Sequence, residues 1–91
     1  MTAADHLRTL HEQLAATEEL PVRPDASPWL GEAAAITADA MDADLPSDVL
    51  ADRIQRVAAL LAEVETTGNP KADEHVAAAE RAANRLLDAV D

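Results

Sequence analysis

The chain has 91 residues, 18 of them acidic against 7 basic for a formal net charge of −11, with no cysteine and with 22 alanines among its apolar residues. That length allows one domain, residues 1–91, and with no disulfide or metal staple a thin core must be stabilised by regular packing. With no Phe or Tyr and 2 glycines an aromatic-rich sheet is disfavoured, and the acidic balance argues against direct nucleic-acid binding and against anionic membrane surfaces, both of which need clustered cations.

Thr2 with Asp5 three residues on forms a capping-box pattern, and Leu7, Leu10 and Leu14 then recur on one face, predicting a first helix to about Thr17. Pro21 and Pro24 forbid its continuation, and Leu20 and Val22 mark the connection between them as one that lies against the bundle. Ser27-Pro28 reads as a cap followed by a first-turn proline. The second helix takes its apolar face from Trp29 or Leu30, Ala33, Ile36 or Thr37, and Ala40 or Met41.

After Leu45-Pro46, Ser47 is expected to cap a third helix, whose Leu50, Ile54, Val57, Leu61 and Val64 alternate at the four-and-three spacing of a heptad seam. Val49 and Leu60 widen the stripe, so this helix is expected to touch two neighbours or to exceed what one monomer covers. Gly68 reads as its left-handed stop, and Asn69-Pro70 caps and opens a fourth helix with Ala72, Val76, Ala79, Ala83, Leu86 and Val90 on one seam. The fold class is therefore all-α: an antiparallel four-helix bundle, with a tight hairpin of helices three and four as its spine.

The start of the chain, Met1-Thr2-Ala3-Ala4-Asp5-His6, lacks the basic patch and apolar run of a signal peptide, and no apolar run approaches the roughly 20 residues that cross a bilayer. A cytoplasmic protein is the expectation. Lys71 is the single lysine and acids are spread along the chain, a pattern that favours an extreme halophile over an ordinary acidic protein of a high-GC genome. At about 1 M salt the Debye length is roughly 3 Å, which screens carboxylate repulsion while hydration keeps the surface wet.

Candidate chemistry is sparse. His6 and His11 stand five residues apart, about 140° around a helix, and no carboxylate lies three residues before any histidine, which removes the Glu-x-x-His motif of carboxylate-bridged metal bundles. Asp39, Asp42, Asp44 and Asp48 crowd the connection between helices two and three, and Asp42-Ala43-Asp44 opens like a calcium loop. The next ligand position is Pro46, the glycine position is Ser47 and the closing acid would be Arg53, so a calcium hand is excluded. No phosphate-binding glycine loop, nucleophile elbow or thiol is present, and no cofactor is expected. Trp29, beside Arg23 in a proline-bounded loop, is read first as a plug for the end of the bundle and second as a partner anchor. Local ion pairs are expected for Asp5 with Arg8, Arg8 with Glu12, Asp52 with Arg56 and Arg85 with Asp88.

The stretches Ala16-Thr17-Glu18-Glu19-Leu20-Pro21-Val22, Trp29-Leu30-Gly31-Glu32-Ala33 and Gly68-Asn69-Pro70-Lys71-Ala72-Asp73-Glu74-His75-Val76 resemble a family of short acidic haloarchaeal proteins of unknown function. The resemblance spans nearly the whole chain. It implies an extremely halophilic cytoplasm and brings no activity, cofactor or catalytic residue with it.

These readings converge on a non-enzymatic protein–protein interaction module with an unknown protein partner, self-association into a homodimer being the even alternative. Arg23, Trp29, Val49 and Leu60 are the candidate interface residues. The rival readings are a small metal-dependent hydrolase using Asp39, Asp42 and Asp44 as ligands, and an acidic mimic of nucleic acid.

Overall fold

In the computed structural model, which describes residues 2–90, the chain turns helical four times, as α1 (Ala3–Glu18), α2 (Ser27–Asp42), α3 (Ser47–Ala62) and α4 (Pro70–Ala89). Each start must satisfy free backbone N–H groups. At α1 the capping box forms as expected: the Asp5 N–H donates to Thr2 Oγ1 at 3.2 Å and the Thr2 N–H donates back to Asp5 Oδ2 at 3.1 Å. At α4 the Asn69 side-chain oxygen accepts from the N–H groups of Lys71 and Ala72, at 3.0 and 3.3 Å.

The two serines do not cap. The turn before α2 already directs the N–H groups of Ala26 and Ser27 onto the Arg23 carbonyl at 3.0 and 3.2 Å, so Ala26 occupies the cap in helical conformation and Ser27 is the first helical residue. At α3 the cap falls on extended Pro46 (ψ 154°), whose carbonyl accepts from Leu50 at 2.9 Å, and Ser47 makes no capping bond. Asp48 in the first turn adds a favourable charge there.

α3 stops at Ala62, well before Gly68. β-Branched Val64, Thr66 and Thr67 fit a helix poorly, and the last two commit their side chains to hydrogen bonds nearby. The helices are antiparallel, each packing on its sequence neighbours while α4 closes the ring on α1; the diagonal pairs α1/α3 and α2/α4 have no close backbone approach. α1 on α4 is the most extensive pair, with α2 on α3 next, so these two pairs carry the bundle more than the α3–α4 hairpin does. Small side chains explain the first: α4 turns Ala72, Ala79, Ala82 and Ala83 inward, which lets a neighbouring axis come close.

Leu10, Leu14, Ile54, Leu61 and Leu86 are the largest fully buried side chains, each worth about 1.5–3 kcal/mol against exposure. Leu60, expected at an interface, is 5% exposed and belongs to this core. Val57 and Leu61 are buried with it, while Leu50 and Val64 are half-buried and packed on the core and Val49 is half-buried. The wide stripe of α3 is thus largely covered within one chain. Buried Thr17 and Thr37 return their hydroxyl protons to the carbonyls of Leu14 and Ala33 at 2.6 and 2.8 Å. Among the described residues every buried side-chain polar atom has a partner.

Candidate functional site

The α1–α2 and α3–α4 connections meet at one end of the bundle, and Thr67 is the point on which they are joined. Its carbonyl accepts from the Arg23 N–H at 2.7 Å. Its own N–H donates to Asp73 Oδ1 at 2.7 Å, its hydroxyl lies 2.7 Å from that same oxygen, and the hydroxyl oxygen accepts from the Asn69 N–H at 3.1 Å. Thr66 Oγ1 adds a 3.1 Å bond to Asp73 Oδ2, and Asn69 Nδ2 donates to the Pro21 carbonyl at 3.1 Å. The bonds from the Thr67 backbone and hydroxyl, with the smaller one from Thr66, hold the Asp73 carboxyl below its ordinary value.

Gly68 is required at this junction. Its φ of 77° is left-handed, and a Cβ there would lie 2.7 Å from Cγ of Arg23. The Arg23 side chain runs past Gly68 and pairs with Asp25 through two contacts, Nε to Oδ1 at 3.2 Å and a terminal nitrogen to Oδ2 at 3.4 Å.

Against this frame opens a cleft of about 150 Å³ whose walls include Arg23, Asp25, Trp29, Glu63, Glu65 and Thr66. Trp29 is 38% exposed, so the plug reading is corrected: Leu30, one residue on, is the side chain that turns into the core. The two are about 100° apart on the helix, and Leu30 shares the inward face with Ala33, Thr37 and Ala40. Of the four expected interface residues the structure brings Arg23 and Trp29 together. Val49 is half-buried in the first turn of α3, and Leu60 is internal. Glu63, Glu65 and Thr66 were missed, because the Gly68 stop placed part of that segment within a helix. The usable signal was the run Thr66-Thr67 ahead of Asn69-Pro70, with an acid at Asp73 to receive their hydroxyls.

Asp39, Asp42 and Asp44 are exposed around the end of α2, and among the described residues no three acidic or imidazole groups converge on a point that could hold a metal ion. His75 is half-buried and its Nδ1 lies 2.7 Å from the Gln13 side-chain amide of α1, a hydrogen bond that ties α4 to α1. Arg56, expected to pair within its helix, reaches Glu32 on α2 at 3.0 Å instead. The Asp5–Arg8 pair forms at 3.9 Å. Thr2, with a smaller contribution from Arg8, holds the Asp5 carboxyl low. No described helix is long and apolar enough to cross a membrane.

The chain belongs to the family Domain of unknown function (DUF8152), whose match covers residues 6–91. No curated protein and no solved structure matches it.

Proposed function

We propose that the chain is a non-enzymatic protein–protein interaction module of an extremely halophilic archaeal cytoplasm and that it engages its partner through the cleft of Arg23 and Trp29. The observation that carries this is the placement of Trp29, the single aromatic residue, at 38% exposure beside a paired arginine on a hydrogen-bonded frame. Tryptophan and arginine are the side chains most enriched where binding energy concentrates, and a frame already held in place lowers the ordering cost of association. The halophilic setting rests on the net charge of −11 and the near absence of lysine.

A second copy of this chain is disfavoured as the partner, since the apolar stripe of α3 is largely taken up inside the bundle. The test is affinity capture from a haloarchaeal lysate kept in molar KCl, with wild type and Trp29→Ala side by side and circular dichroism confirming both folds. One protein retained stoichiometrically by wild type and lost by the variant is the expected result. Equal retention by both overturns the cleft, and bait alone from both overturns the interaction reading.

A further inference from the structure

We propose that the occupant of the Trp29 cleft is a basic segment of a partner protein, laying an arginine side chain on the indole between Glu63 and Glu65. This deepens, and rests on, the reading of the cleft as an interaction site. Size argues first: about 150 Å³ falls below the roughly 300–1,000 Å³ of small-molecule pockets, and suits one long side chain presented by a larger partner.

Charge argues second. The cation native to the cleft, Arg23, is committed to Asp25, whereas among the described residues neither Glu63 nor Glu65 has a cation within ion-pair distance. Glu63 is moreover the C-cap of α3, where the helix dipole is already negative and no basic residue lies in the last turn. α1 finishes at the same end of the bundle with Glu18 and Glu19, again without a basic residue in its last turn. Two helix C-termini and their acids therefore make this end of the bundle negative without a basic residue in either last turn, a surface that favours an incoming cation. Trp29 supplies the third element, since the indole face is the best aromatic surface for a cation and a guanidinium stacks on it with its planar face.

The experiment uses the full chain and a fluorescein-labelled oligo-arginine peptide, followed by anisotropy at the lowest KCl concentration at which circular dichroism shows intact helices. Glu63→Gln with Glu65→Gln is compared with Asp39→Asn and Asp42→Asn, which removes equal charge at the other end of the bundle. Wild type is expected to bind saturably, the cleft pair to lose about tenfold, Trp29→Ala about fivefold, and the distal pair to stay within about twofold. Equal loss in both double variants would mean attraction by net charge alone and overturns the proposal, as does the absence of saturable binding. If this fails while Trp29-dependent capture from lysate holds, the cleft binds a partner of different chemistry; if capture fails too, the interaction reading falls with it.

Discussion

The two ends of the bundle are closed by different physics. At the Thr67 end two connections are tied by hydrogen bonds that run from Pro21 and Arg23 to Thr67, Asn69 and Asp73. At the opposite end Ala3, Leu7, Ala40, Leu45 and Leu50 surround an apolar opening of about 230 Å³, Met41 stands 41% exposed, and no side-chain hydrogen bond among the described residues joins the α2–α3 connection to another element. Directional bonds position a surface; apolar contact alone closes an end without fixing it. The candidate site sits on the positioned end.

The largest effect expected removes what both ends share. Ile54→Ala empties a fully buried position and should cost about 2–5 kcal/mol in chemical denaturation, with amide-exchange protection falling at both ends. Breaking one end is the sharper test. Thr67→Val keeps the buried volume but strands the Asn69 N–H and takes the hydroxyl from Asp73, an expected loss of about 1–3 kcal/mol, with protection lost first from the segment around Arg23 and Asn69. Uniform loss would mean that the junction adds stability without local positioning.

Acid should act on both ends, through Asp73 at the Thr67 junction and through Asp5 in the first turn of α1. Asp73 and Asp5 are both depressed, so the stability they contribute is present above the ordinary carboxylate range and is lost as pH falls through the depressed folded values. Thermal melts should be flat above about pH 5 and decline below about pH 4. Asp73→Asn should melt lower at neutral pH and lose part of that acid slope, whereas an unchanged slope would remove Asp73 from the account.

Smaller still is the exposed Arg56–Glu32 pair, whose double-mutant coupling should lie at about 0.2–1 kcal/mol in low salt and vanish in molar KCl. Met41→Gln, at the open end, should change stability by less than about 0.5 kcal/mol. A clear loss there would show that the apolar opening is more tightly closed than its exposure indicates.

Much of this architecture was legible in advance because it depends on near neighbours in the chain. Leu7, Leu10 and Leu14 on one turn-spaced face, the Thr2–Asp5 box and the Asn69-Pro70 start are local patterns, and each occurs where its spacing placed it. The serine caps failed because a cap is chosen by the path of the incoming chain: at Ser27 the Arg23 carbonyl had already collected the N–H groups. Arg56 chose Glu32 over Asp52 because packing of α2 on α3 brought a carboxylate from another helix within 3.0 Å.

The candidate site divides in the same way. Arg23 and Trp29 could be singled out as a pair six residues apart, one in the proline-bounded connection and one in the first turn of α2, but their cleft is completed by Glu63, Glu65 and Thr66 from a connection far along the chain. Helix number, the capped starts of α1 and α4 and the inward seams were determined by the sequence itself, since i, i+3 and i+4 periodicity and side-chain-to-backbone bonds act within a few residues. The junction at Thr67, the exposure of Trp29 and the burial of Leu60 were decided only by the tertiary structure, because each depends on which surfaces meet once the four helices close their ring.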